Sequence, residues 1–320
     1  MQMNPLGRTG VSVSALCYGT MCFGREADEA ESARMYAACR DKGINFFDCA
    51  NVYSNGRAEE ILGRLIAHER EELVITTKCG MGPDGINTRG GSRRHVTRSV
   101  EASLTRLGTD RVDVLFMHRW DDGTPVEETL RALEDLVRAG KVLYLGASNY
   151  AAWQVAKALG ISARMGGSRF EVIQPMYNLV KRQAEVELLP LALSEGLSVT
   201  PYSPLGGGLL TGKYRTGGAG SRLDTDGRYA RRYGEDWMKS AATSFADLAE
   251  AEGVDPVTLA IAWVMSHPAV TAPLIGARSA DQLASSLAAA DLVVPHGLLG
   301  KVTSVSPTPP PATDRIEERI

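Results

Sequence analysis

Surplus positive charge is the first thing this chain lacks: 35 lysines and arginines stand against 38 aspartates and glutamates, a formal net charge of −3. Such a balance offers no broad basic field to nucleic acid or anionic lipid, so a small-molecule partner is expected. Cysteine is scarce. Cys17, Cys22, Cys39, Cys49 and Cys79 are odd in number, crowd the first quarter of the chain and form no CxxC pair. That pattern argues against a disulfide framework and a zinc site, and no metal is expected. The opening "MQMNPLGRTG" has no signal-like apolar core, and no apolar run is long enough to cross a bilayer. A cytoplasmic protein with no membrane attachment is the expectation. Also missing is a GxGxxG after the first strand: "GTMCFG" has the wrong spacing, so the usual dinucleotide-binding sheet is not supported.

What is present is an alternation. The runs "ALCYGT", "NFFDCA", "LVITTKC", "VDVLFMH", "VLYLGAS", "EVIQPMY", "SVTPYSP" and "APLIGA" read as short buried strands. Between them lie helical patterns such as "DEAESARMYAACRDKG", "RRHVTRSVEASLTRLG", "PVEETLRALEDLVRAGK" and "SADQLASSLAAAD", several closed by Gly or Lys. A doubly wound sheet would alternate too, but eight evenly spaced strands without a second domain boundary favour a closed α/β barrel of the (β/α)8, or TIM, type. "MNPLGRTGVSVSAL" predicts an N-terminal hairpin over the closed end. The glycine-rich, charged stretch from Leu205 to Trp237 predicts a mobile loop after strand 7. The reading is one barrel domain over 1–300 and a proline-rich tail over 301–320 that lies along the surface or is disordered.

In this architecture chemistry gathers where strands exit at one face. "FFDCANVYSNG" puts Asp48 at the end of strand 2 with Tyr53 in the following loop; "VITTKC" ends strand 3 near Lys78, and "VLFMH" ends strand 4 at His118. Each has an ordinary structural use, but together they bring an acid, a phenol, an ammonium and an imidazole to one rim. An inward lysine would be costly without a carboxylate beside it, and Asp48 is the nearest candidate. An ammonium stabilises phenolate, which makes Tyr53 a usable proton donor and acceptor, while His118 would orient a substrate oxygen. No side chain can donate hydride, so this set calls for a nicotinamide cofactor. From the residues alone, a hydrolase pairing Asp48 with a second carboxylate stays open.

Nearly the whole sequence resembles the aldo-keto reductases, through "GTMCFG", "FFDCANVYSNGRAEEILG", "ITTKCG", "DVLFMHRW", "LGASN", "IQPMYN", "TPYSPLGGGLLTGKY" and "PLIGARSADQL". The resemblance implies reduction of aldehydes or ketones with NADPH and a catalytic tetrad of Asp48, Tyr53, Lys78 and His118. It further implies cofactor contacts from Gly19, Thr20, Met21 and Asp48; nicotinamide-amide ligands at Ser148, Asn149 and Gln174; and a ring-stacking Tyr202. A pyrophosphate loop through Ser203, Leu205, Gly206, Gly208 and Lys213, and an adenosine-phosphate end at Gly276, Arg278, Gln282 and Ser286, complete the set. Arg278 offers a forked donor suited to a phosphate, which favours NADPH over NADH. Met21, Tyr53 and Trp120 would line a substrate pocket with a broad preference for aldehydes, and the loop after Gly212 would act as its lid. Some relatives in this family are auxiliary subunits of potassium channels, so a nucleotide-binding redox sensor with little turnover is the alternative.

Overall fold

A computed structural model describes residues 1–213, 227–313, 315 and 317. A hairpin of β1 (Met3–Pro5) and β2 (Ser12–Ser14) opens the chain. Eight parallel strands follow: β3 (Cys17–Gly19), β4 (Phe46–Asp48), β5 (Val74–Cys79), β6 (Val112–Met117), β7 (Val142–Ser148), β8 (Phe170–Gln174), β9 (Ser198–Val199) and β10 (Leu274–Ile275). They lie side by side in chain order, with β10 beside β3. The ring closes through backbone bonds from Thr271 N–H to Val199 O and from Leu274 N–H to Pro201 O, both 2.8 Å. The result is a (β/α)8 barrel; seven of its strands fall inside the runs expected from sequence, and β8 begins one residue earlier, at Phe170.

The helices form where caps and apolar stripes agree. Asp28 caps α1 (Glu29–Asp41) by accepting from Glu31 N–H, and Ser92 caps α3 (Arg93–Leu107) by accepting from His95 N–H. Gly108 ends α3 at φ 62°, a left-handed value that a side chain would disfavour. Helix α2 (Arg57–Ile66) follows β4, α4 (Val126–Arg138) follows β6 and α5 (Ala152–Met165) follows β7. No helix among the described residues is long and apolar enough to cross a membrane.

The inside of the barrel is graded. At its floor, Leu6 and Val13 of the hairpin pack against Cys17, Phe46, Val74, Val114, Val172 and Ala272, all buried. One layer up, the Phe116 ring fills the space left by Gly146, where an added Cβ would lie 2.5 Å from ring carbons. Strand alternation carries the same inward face onward to Asp48, Lys78 and His118 at the open end. An apolar floor therefore supports a polar ceiling.

Two expectations need adjusting. The segment after β9 is partly ordered: a tight turn over Gly206–Thr211 and a helix over Gly227–Tyr233 flank residues 214–226, and the expected lid extends into those residues, outside the described set. The helix His296–Ser304 runs across the expected boundary at 300 with Val302 fully buried. Arg182 holds its end by donating to Thr303 O (3.2 Å) and Ser306 O (3.4 Å), so the chain stays docked through 306 before the prolines begin.

Candidate active site

The site begins with β4 running past its last residue. Cys49 N–H still reaches Thr76 O at 2.9 Å and Asn51 N–H reaches Lys78 O at 3.3 Å, so the exit of β4 stays aligned with β5. The chain then tightens into a turn over Tyr53–Gly56, with Ser54 and Asn55 at φ 49° and 54°. Ser54 hydroxyl donates to Phe23 O at 2.6 Å and anchors this strained turn, which leans Tyr53 back over the barrel mouth.

Beneath Tyr53 lies a closed charge network. Asp48 and Lys78 are each 1% exposed. Asp48 Oδ1 accepts from Thr76 hydroxyl (2.7 Å) and Gln174 Nε2 (3.0 Å), and its Oδ2 accepts from Lys78. The ammonium spends its other protons on Cys49 O (2.8 Å) and the Tyr53 hydroxyl (3.2 Å). Burial works against this charge, yet Asp48 and then Tyr53 outweigh it and hold Lys78 above its ordinary range. Because the phenol oxygen accepts from Lys78, its own proton is left to point elsewhere.

Burial also decides the state of Tyr53 and His118. Desolvation pushes the phenol up to about 12 even though Lys78 pulls the other way. Sequence alone favours the ammonium as the dominant influence; the dry setting reverses that order. His118 is driven down to about 3 by burial, with Lys78 and Arg119 adding to the effect, so its imidazole is neutral at ordinary pH. Its ring stands edge-on to Tyr53 with centroids 6.2 Å apart, and Nδ1 is buried without a hydrogen-bond partner.

A cavity of about 1270 Å³ opens above this network and is lined by Asp48, Tyr53 and His118. Of the residues expected to contact a cofactor, Gly19, Met21, Ser148, Asn149, Gln174, Tyr202, Ser203, Leu205, Gly208, Lys213, Gly276, Arg278, Gln282 and Ser286 line it as well. Thr20 does not, because its N–H (2.9 Å) and hydroxyl (3.0 Å) are both given to Asp48 O. Gly206 is buried, with its N–H on Ser203 O at 3.0 Å. Trp120 is likewise outside the lining: its indole N–H donates to Asp122 (2.8 Å) and its ring packs edge-on against Tyr150 and Trp153.

The expected amide ligands are already joined to one another. Tyr202 hydroxyl donates to Asn149 Oδ1 at 2.6 Å; Asn149 Nδ2 donates to His118 O (2.9 Å) and Ser148 Oγ (3.0 Å); Ser148 hydroxyl donates to Gln174 O (3.0 Å). Opposite them, Gly208 sits at φ 98°, and an added Cβ would come within 3.0 Å of Lys213 Nζ. Bare backbone under an ammonium is a setting for an anion. Arg278 is exposed and has no ion-pair partner among the described residues, while its N–H donates to Gln282 Oε1 at 2.9 Å. At the start of the helix Ala280–Ala288, Ala280 N–H is taken by Glu31 (2.6 Å), so a carboxylate occupies part of that helix terminus.

Sequence reasoning passed over several lining residues. Asn51 is one: its Nδ2 donates to Met81 O (3.1 Å) and Ser99 (2.9 Å), and its Oδ1 is buried without a partner. Arg98, Arg119 and Arg232 are others. Asn51 could have been found from its place between Asp48 and Tyr53. The arginines carry no such local signal.

The aldo/keto reductase family model matches residues 15–306, a span that takes in every strand of the barrel. The chain belongs to the aldo/keto reductase family. A probable voltage-gated potassium channel subunit beta of Arabidopsis thaliana is 39% identical over 92% of both chains. An uncharacterized oxidoreductase, YrpG, of Bacillus subtilis is 36% identical over 97% of both. Versiconal hemiacetal acetate reductase of Aspergillus parasiticus is 34% identical over 90% of this chain and 92% of its own. For an aldo/keto reductase, an oxidoreductase family acting on small carbonyl compounds, the phenol, ammonium and imidazole at the barrel mouth form a coherent site.

Proposed function

We propose that this aldo/keto reductase reduces aldehydes or ketones to alcohols with NADPH, using Tyr53 as the general acid. One observation carries the reading: Lys78 donates to the phenol oxygen (3.2 Å), which leaves the Tyr53 proton free for a substrate oxygen in the cavity. A phenol held up to about 12 stays protonated across the working range, as an acid must. NADPH supplies hydride at the carbonyl carbon when bound. The protein's own part is the proton. As negative charge grows on the substrate oxygen, Tyr53 gives up its proton, and the resulting phenolate is stabilised by the ammonium already touching it. Neutral His118 beside the phenol can donate from its ring without adding a charge. Asp48 keeps Lys78 charged and in place.

For the cofactor, Ser148, Asn149 and Gln174 offer amide and hydroxyl groups, Tyr202 a ring face, Gly208 and Lys213 an anion seat, and Arg278 a forked cation for a 2′-phosphate. The same reading gives a cytoplasmic enzyme, in keeping with five free, buried thiols. The test is Tyr53→Phe, assayed for NADPH consumption with aromatic and aliphatic aldehydes. Turnover should fall by about 10²- to 10⁴-fold with cofactor affinity nearly unchanged. An undiminished Tyr53→Phe enzyme would remove Tyr53 from the chemistry. The similarity to a probable channel beta subunit supports one rival, a redox-sensing subunit, which would bind NADPH yet turn over no aldehyde in the wild type.

A further inference from the structure

The chain as a whole is acidic, but its cavity is not. Among the described residues lining it, Asp48 is the one carboxylate, and Lys78 neutralises it. Lys213 and Arg278 already have a role in the cofactor reading. They leave β9 and β10, and the cofactor-facing residues Ser148, Asn149 and Gln174 leave β7 and β8. In a closed ring ordered β10-β3-β4-β5-β6-β7-β8-β9, β6 stands four places from β10, and β5 four places from β9. Arg119 follows β6 directly after His118, and Arg98 lies on α3, the helix that follows β5. Both therefore stand across the mouth from the phosphate-binding side.

Arg98 and Arg119 line the cavity, are exposed, and have no ion-pair partner among the described residues. Most of the described arginines are otherwise engaged: Arg106, on the same helix as Arg98, is held by buried Glu59 at 2.7 Å, and Arg70 by Asp113 at 2.7 Å. A guanidinium left open at the rim of a cavity attracts an anion, and its fork suits carboxylate or phosphate oxygens. The remote wall also has a ring nitrogen to spare, since His95 Nε2 is buried without a partner and can carry a donor proton.

Building on the reductase reading, we propose that the preferred substrate is a carbonyl compound bearing a second, anionic group, carboxylate or phosphate, which Arg119 holds with Arg98 while the carbonyl oxygen meets Tyr53. The anion sets specificity and orientation and takes no part in bond making.

The test compares matched pairs in the NADPH-loaded enzyme: 4-formylbenzoate against its methyl ester, and glyceraldehyde 3-phosphate against glyceraldehyde. The acid or the phosphate should show kcat/KM about tenfold or more above its neutral partner, through a lower KM. Which pair shows the larger ratio tells carboxylate from phosphate. In Arg119→Gln the ratio should collapse toward one through a raised KM for the anionic substrate, and Arg98→Gln should reduce it in part. Ester turned over as fast as acid, or a ratio that survives Arg119→Gln, overturns the proposal and leaves the reductase intact. Should no aldehyde be reduced at all, the reductase reading fails. Calorimetric binding of 4-(hydroxymethyl)benzoate against its methyl ester to the NADP⁺-loaded protein still decides the anion site, with equal affinities rejecting it.

Discussion

Replacing Asp48 with asparagine probes the network that makes this site possible. The introduced amide could keep its oxygen toward Thr76 and Gln174, which bond Oδ1 at 2.7 and 3.0 Å. Its NH₂ would then face the Lys78 ammonium, a donor against a donor. Lys78, 1% exposed, would keep only Cys49 O and the Tyr53 hydroxyl. Breaking one side of a buried pair leaves an uncompensated charge, which costs about 3 to 5 kcal/mol. In a domain of this size that corresponds to roughly 4 to 8 °C of Tm, read by tryptophan fluorescence or by the urea midpoint. The pH dependence has a defined sign. In the wild type Lys78 is held above its ordinary value, so its contribution is complete below the unfolded pKa and fades only as pH rises through the higher folded one. In Asp48→Asn burial acts with no carboxylate to oppose it, the folded pKa drops below the unfolded one, and stability climbs with pH. The gap between the two proteins should therefore be widest at or below neutrality and narrow toward pH ~9.5, short of the ordinary lysine pKa of about 10.4. The double variant Asp48→Asn/Lys78→Met should be more stable than Asp48→Asn alone. An Asp48→Asn midpoint equal to wild type, or a gap that widens with pH, would refute the reasoning.

The neutral imidazole makes its own prediction. With His118 folded at about 3 against 6.5 for the ordinary side chain, the unfolded chain binds the extra proton between those values, so stability falls as pH drops from 6.5 toward 3. His118→Asn should remove that slope and shift the acid unfolding midpoint to lower pH, measured by circular dichroism; an unshifted midpoint would mean the imidazole is not held neutral. Gly146→Ala would place a methyl 2.5 Å from the Phe116 ring and should cost about 1 to 3 kcal/mol in a urea titration, with no loss expected if the ring can swing aside. Arg278→Gln should lower the ratio of NADPH to NADH affinity by about tenfold in a fluorescence titration, and a ratio left as in the wild type would detach Arg278 from the 2′-phosphate.

The barrel was legible because each of its signals is local. Eight β-branched or apolar runs, amphipathic helices between them and glycines such as Gly108 at their ends are all written in short windows. Asp48, Lys78 and His118 were legible for the same reason, since a charged or polar side chain that closes an apolar run at a strand exit must face the barrel mouth or find a buried partner. What escaped the sequence was set by relations between distant elements. Trp120 looks like a pocket residue from its closeness to His118, but its place is decided by Asp122, Tyr150 and Trp153. Thr20 sits in a motif tied to the cofactor, yet both of its donors go to Asp48 O. The direction of the Tyr53 shift turned on how much water the barrel mouth excludes, which no spacing encodes.

The amide cluster takes this one step further. Ser148, Asn149, Gln174 and Tyr202 stand at the exits of three neighbouring strands, and the family resemblance implies amide ligands in the first three and a ring-stacking residue in Tyr202. The structure adds that they are bonded to one another, and that Gln174 also donates to Asp48 at 3.0 Å. A nicotinamide amide that docks there meets groups already engaged, for Asn149 Nδ2 already donates twice. Its arrival would meet a set of contacts that runs from Tyr202 through Asn149 and Ser148 to the main-chain oxygen of Gln174, whose side chain separately donates to the carboxylate holding Lys78. Under the proposed reading the Gln174 side chain serves both the cofactor amide and Asp48, so Gln174→Ala should alter both the affinity for NADPH and the alkaline limb of the Tyr53-dependent rate. If only the affinity changes, the link through Asp48 carries no weight.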